Sequence, residues 1–89
     1  MNQQTVTIQN KLGLHARASA LLSDTANKFQ SSITLQFKSR NIDAKSILAV
    51  MTMGATLGAQ IELITEGPDE DRAAEIIVEL FNKKFGEKE

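Results

Sequence analysis

Leu12-Gly13-Leu14-His15-Ala16-Arg17 is the stretch on which the reading of this chain turns. Before it, Thr5-Val6-Thr7-Ile8-Gln9 alternates, with Val6 and Ile8 on one face, as a half-buried strand does. After it, Leu14, Ala18, Leu21, Leu22, Ala26 and Phe29 fall at helical spacing, with Ser19, Ser23, Asp24 and Asn27 opposite. The spacing predicts a turn over Asn10-Lys11-Leu12-Gly13 and a helix over Ala16 to Lys28. The only histidine of the chain stands at this strand-to-helix junction.

The chemistry of such a junction is specific. The first N–H groups of a helix lack intrahelical acceptors, and the aligned peptide dipoles add partial positive charge. An anion is stabilised there. Helix entrances favour Ser, Thr, Asp or Asn as cap, so a histidine invites another explanation. Neutral imidazole offers one ring nitrogen as a nucleophile near neutral pH. A phosphoryl group on His15 would meet the backbone N–H groups of Ala16 and Arg17, and the Arg17 guanidinium would add charge-assisted hydrogen bonds. The competing reading is a histidine that caps the helix or lies exposed in a turn. From one His and one Arg alone, that reading is the better one.

Outward from the junction, Ser31-Ser32 ends the helix, and Ile33, Leu35 and Phe37 alternate as a second strand. Lys38-Ser39-Arg40-Asn41 reads as a hairpin turn and Asn41-Ile42-Asp43 as a third strand. Ser46 as cap and Gly54 as stop predict a short second helix. Its Ile47, Leu48, Val50, Met51 and Met53 cannot all point to one face, which leaves two equal readings: some form an exposed patch, or the helix is well buried all round. Gln60 to Thr65 alternates through Ile61 and Leu63 as a fourth strand. Asp69 is the expected cap of a last helix whose face is Ala73, Ala74, Ile77, Leu80 and Phe81 and whose end carries Lys83 and Lys84. Gly86-Glu87-Lys88-Glu89 reads as a frayed tail. The order βαββαβα predicts an α+β fold, a sheet made at least partly antiparallel by the hairpin, with helices on one face.

Composition narrows the function. Eighty-nine residues make one domain, and 42% apolar content suffices for its core. With no cysteine and one histidine, neither disulfides nor a thiolate or multi-histidine metal site is expected. The polar start Met1-Asn2-Gln3-Gln4 does not read as a signal peptide, and no apolar run approaches the ~20 residues of a membrane span. A net charge of -1, with neither Tyr nor Trp, argues against a nucleic-acid surface. Residues 1–45 carry six cations against Asp24 and Asp43, while residues 46–89 carry four against nine acids. The half holding His15 is thus basic, which suits phosphate or an acidic protein partner.

The chain resembles the HPr family, the histidine-containing phosphocarriers of the bacterial phosphoenolpyruvate-dependent sugar phosphotransferase system. The resemblance rests on Lys11-Leu12-Gly13-Leu14-His15-Ala16-Arg17, on Ala44-Lys45-Ser46-Ile47 followed by Val50-Met51 and Gly54, and on Gly67 with Asp69-Glu70, and it spans nearly the whole chain. It implies an open-faced β-sandwich, with a four-stranded antiparallel sheet covered on one face by three helices. It implies a cytoplasmic carrier, not a free-standing enzyme, that takes phosphate from enzyme I and passes it to enzyme II A domains, with no cofactor. His15 matches the family's phosphorylated residue, modified at Nδ1, and Arg17 the assisting arginine. Ser46 matches the serine that HPr kinase/phosphorylase modifies in many bacteria. Ile47, Leu48 and Met51 match the apolar patch that docks on partners. Exchange between partners in turn is expected of a monomer with small transient interfaces.

One departure is Ala18, where the family most often has proline. Proline in a first turn pre-sets φ, so its loss bears on the rigidity of the site. The nitrogen-related branch of the family shares the His-Ala-Arg site and has a different downstream partner. Two readings from other classes compete: a small acylphosphatase-like enzyme with Arg17 as phosphate holder, and a small-ligand or RNA-binding regulatory domain. Both leave the Gly13-Leu14-His15-Ala16-Arg17 match unexplained.

Overall fold

Two central strands carry the alternation that the sequence displays. In the computed structural model, which describes all 89 residues, β2 (Ser32–Phe37) and β4 (Gln60–Glu66) pair antiparallel, and β1 (Asn2–Thr7) and β3 (Arg40–Asp43) flank them in the order β1-β4-β2-β3. Ile33, Leu35, Ile61, Leu63 and Thr65 point inward and are buried. On the other face Gln3 and Thr5 donate to the Glu62 carboxylate, and Gln36 to Asn41. Helices α1 (Ala16–Ala26), α2 (Ile47–Met51) and α3 (Glu70–Asn82) cover the inner face, giving the expected open-faced sandwich. Leu22, Val50 and Ile77, one from each helix, are fully buried in one core with the inner-face strand residues. Truncating such a residue to Ala costs about 2–5 kcal/mol.

Several local expectations need correction. Strand β1 spans Asn2 to Thr7, not Thr5 to Gln9, because an edge strand tolerates polar residues while its backbone pairs from Asn2–Thr65 to Thr7–Gln60. Ile8 leaves the ladder yet stays buried, donating to Ala59 O and accepting from Gly58 N. Ser19 and Ser23, assigned to the polar side of α1, are buried. Their hydroxyls donate to Leu14 O (3.0 Å) and Ala44 O (2.9 Å), so each polar group enters the interior with a partner.

Asp69 precedes α3 as expected, but its carboxylate makes no cap bond. It accepts instead from the backbone N–H of Gln30 (3.0 Å) and Ser31 (2.9 Å) and from the Ser31 hydroxyl (2.5 Å), tying the start of β2 to the start of α3. Those bonds, the Ser31 hydroxyl first, lower its pKa to about 2. Lys83 follows the last turn of α3 and pairs with Glu79, while Lys84 has left the helix with φ +56.

The largest correction is the tail. Lys84–Gly86 forms one 3₁₀ turn, and Phe85 is buried edge-on against Phe81 with ring centroids 5.0 Å apart. Lys84 and Phe85 both adopt left-handed backbone (φ +56 and +54) to make that turn. For residues with a side chain this costs roughly 1–2 kcal/mol each, and burial of the Phe85 ring offsets it.

Candidate functional site

The loop before α1 is braced from three sides. The buried Asn10 side chain donates to Gly13 O (2.8 Å), and Gly13 N donates to Asn10 O (3.2 Å). Leu14 N reaches across to Ala55 O (3.2 Å). Gly13 sits at φ +67 so close to the next loop that a Cβ there would lie 2.6 Å from Ala55 O. The Ser19 hydroxyl then clips α1 back to Leu14 O. Ala18, where the resemblance implies proline more often, is fully buried. Asn10, Gly13 and Ser19 thus hold the helix entrance without a proline.

His15 is the N-cap residue of α1 by backbone (φ −73, ψ −179), and its carbonyl accepts from Ser19 N at 2.8 Å. Its ring makes no side-chain cap hydrogen bond. The N–H groups of Ala16 and Arg17 have no acceptor in the protein, as is usual for the first groups of a helix. The ring is partly buried, with its side chain 28% exposed.

The tail supplies the residue that the sequence does not disclose. Glu87 Oε2 lies 2.5 Å from His15 Nε2 and accepts from Arg17 Nη2 at 2.6 Å. Glu87 Oε1 accepts from Asn10 Nδ2 at 3.1 Å. Arg17 Nη2 also donates to Phe85 O at 2.9 Å. Burial opposes charge on Glu87, but the hydrogen bonds from Arg17, His15 and Asn10 outweigh it and hold the carboxyl down at about 2. The reading of a basic half and an acidic half is corrected locally: Glu87 and Glu89 fold back onto Arg17 and Lys11. Lys11, Leu12, His15, Arg17, Glu87 and Lys88 surround an open cleft of about 530 Å³.

The remaining predicted residues lie on α2. Ser46 is its N-cap, and its hydroxyl accepts from Ala49 N at 3.2 Å. It makes no hydrogen bond with the His15 group. Ile47, Leu48 and Met51 are exposed, Leu48 at 72%, whereas Val50 and Met53 from the same run are buried. Leu12, in the His15 loop, and Leu57 add further exposed apolar surface. Sequence reasoning misses Asn10, Phe85 and Glu87 as parts of the site. Phe85 alone carries a signal, as an aromatic ring beside a segment that reads as exposed tail.

A family model described as the PTS HPr component phosphorylation site matches residues 2–83. The phosphocarrier protein HPr of Cupriavidus necator is 46% identical over 89 residues, covering 100% of both chains. That of Treponema pallidum is 44% identical over 84 residues, 94% of this chain and 96% of the relative. The crystal structure of HPr-C-His from Thermoanaerobacter tengcongensis superposes with a TM-score of 0.96 at 42% identity, over 100% of both chains. A structure from the same organism is an HPr dimer, at TM-score 0.79 and 42% identity over 98% of this chain and 100% of that one. A full-length match in sequence and in fold leaves one assignment: this chain belongs to the HPr family of phosphocarrier proteins of the phosphotransferase system.

Proposed function

We propose that the 89 residues act as one phosphocarrier domain in which His15 takes a phosphoryl group from phospho-enzyme I and passes it to enzyme II A domains in sugar uptake. The observation that carries this reading is a lone histidine at a helix N-terminus whose ring does not cap the helix. Ala16 and Arg17 N–H groups are free beside it to receive phosphoryl oxygens. Arg17 commits only one of its guanidinium nitrogens to protein acceptors, which leaves donors for the transferring group. A few such bonds stabilise a phosphohistidine moderately, as a donor-acceptor intermediate requires. The protein carries the phosphoryl group and is not a catalyst acting on a small molecule, and it works in the cytoplasm.

The exposed Ile47, Leu48 and Met51 are the surface for both partners in turn. Ser46 is a regulatory phosphorylation site for an HPr kinase/phosphorylase; its hydroxyl meets a helix N-terminus that tolerates added negative charge, beside a patch that must desolvate. The exchanging form is a monomer. Phosphoenolpyruvate with enzyme I should load one acid-labile phosphate on the wild type and none on His15→Ala. Equal labelling of that variant refutes the reading.

A further inference from the structure

We propose that Glu87 is a positioning residue for phosphoryl transfer: its carboxylate takes the Nε2–H of His15 and thereby leaves Nδ1 as the nucleophile. The inference rests on the reading of His15 as the phosphoryl acceptor. The two ring nitrogens of a neutral imidazole differ, and the bond made by one decides which is free. A carboxylate accepts and does not donate, so the nitrogen 2.5 Å from Glu87 Oε2 carries the proton. The Nδ1 lone pair has no partner in the protein.

Buried Asn10 and the turn at Lys84 and Phe85 hold the carboxylate there. Asn10, fully buried, gives one side-chain N–H to Gly13 O and one to Glu87 Oε1, so the loop that places the His15 backbone also places its partner. Phe85 buries its ring two residues earlier, and two successive left-handed residues, Lys84 and Phe85, turn the chain so that Glu87 arrives over the site. Backbone in that region persists where surrounding structure demands it and is concentrated at functional sites. The other charged groups around the ring are Arg17, which shares Oε2, and Lys11, Lys88 and Glu89 at the cleft rim.

The step balances. The Nδ1 lone pair forms the N–P bond while the bond from phosphorus to the donor's leaving atom breaks, and that electron pair departs with the donor. The Nε2 proton stays on the ring, which becomes cationic, and the hydrogen bond to Glu87 becomes an ion pair. Transfer onward reverses the sequence. The carboxylate thus stabilises charge that develops only as phosphorus bonds to nitrogen, which lowers the barrier.

The test uses full-length protein labelled with ¹⁵N in the histidine ring, at a pH where His15 is neutral, and transfer from phospho-enzyme I. In the wild type the ring should be in the Nε2–H form. Glu87→Ala should give a mixture of tautomers and transfer slower by roughly 10–100-fold, the loss seen when outer partners of metal-bound imidazoles are removed. Glu87→Gln keeps an oxygen that can accept Nε2–H, and should fall between the two in both readouts. Unchanged amide spectra for β1 to α3 confirm the fold in each variant. An unchanged tautomer population in Glu87→Ala overturns the proposal, and so does an unchanged transfer rate. Labelling that survives His15→Ala overturns the carrier reading instead, and the tautomer measurement, made on unphosphorylated protein, tells the two failures apart.

Discussion

Replacing Gly13 with Ala puts a methyl group 2.6 Å from Ala55 O and 3.0 Å from Thr56 Cα, on a backbone at φ +67. Two costs are mixed in that substitution, and the molecule contains the means to separate them. Gly54 has φ +68, and a Cβ added there would meet nothing within 4 Å, so Gly54→Ala carries the backbone cost without the collision. Left-handed backbone costs a residue with a side chain about 1–2 kcal/mol. Restricting the unfolded chain returns about 0.4–1 kcal/mol. Gly54→Ala should therefore destabilise by roughly 1 kcal/mol. At Gly13 the colliding atoms are backbone, which cannot swing aside like a side-chain end, and overpacking adds about 1–3 kcal/mol. The expected loss for Gly13→Ala is roughly 2–4 kcal/mol, a fall in Tm of about 10–30 °C for a domain of this size. Urea unfolding of both variants beside the wild type measures the difference directly, since the backbone term cancels. Losses equal to within about 0.5 kcal/mol, the usual scatter of a neutral change, would refute the contact between the His15 loop and the Ala55–Thr56 backbone.

Asp69→Asn should lower stability at neutral pH, and the gap to wild type should close as pH falls from about 4 to about 2: the folded pKa is depressed to about 2, so its contribution is complete above the unfolded value of 3.8 and is lost on acidification. Urea midpoints across that range check it, and a constant gap would count against the Ser31 and Gln30 bonds as its source. Lys38 and Ser39 are the two central residues of the β2–β3 hairpin, at φ +49 and +64, where Asn-Gly fits better. Lys38→Asn with Ser39→Gly should raise stability by about 1 kcal/mol by calorimetry. Leu48→Glu should leave stability within about 0.5 kcal/mol, since the residue is 72% exposed, and weaken binding to enzyme I in titration calorimetry. Ser46→Asp should keep the N-cap and the Tm while slowing phosphorylation of His15, more at low salt than at high; rates equal to wild type at both would leave Ser46 as a cap and no more.

What is legible in the sequence is what local rules govern. The switch from period two to period 3.6 at His15, the alternation in Ile33-Leu35 and Ile61-Leu63, and Ser46 as cap each depend on neighbours within one or two turns, and each holds in the structure. Of the two readings that the apolar residues of α2 leave open, the structure has the exposed one at Ile47, Leu48 and Met51. The misses share a different cause. Ser23 and Asp69 look like surface or cap residues because their partners, Ala44 O and the Gln30–Ser31 backbone, are supplied by the folding of other segments, and Ser19 because its partner Leu14 O is aimed at it only by the turn into α1. A polar side chain is read as exposed by composition, and only the fold reveals the carbonyl that satisfies it. Glu87 is the extreme case, 72 positions from His15, in a stretch whose charge and glycine content fit a frayed end.

The place of Glu87 also bears on what a carrier must do. Had Arg17 faced the site with no anion near, as the basic first half of the chain suggests, it would bind any phosphate strongly and hold it. In the structure its charge is already met by a carboxylate 2.6 Å away, with the Phe85 carbonyl as second acceptor. On the proposed reading an incoming phosphoryl group would gain only what Arg17 can offer beyond those bonds, and it would bring negative charge towards Glu87. Attraction from the helix end and the guanidinium is opposed by repulsion from the carboxylate. On the proposed carrier reading, such opposition would keep a phosphohistidine close in free energy to the donor and acceptor on either side, so that it could be loaded and discharged. By the same reasoning Glu87 has two effects of opposite sign: it helps the ring become cationic, and it limits how tightly the product is held. Measuring forward and reverse transfer in Glu87→Ala weighs them against each other: loss of the first slows loading and shifts the equilibrium towards the unphosphorylated carrier, whereas loss of the second shifts it towards the phosphorylated one.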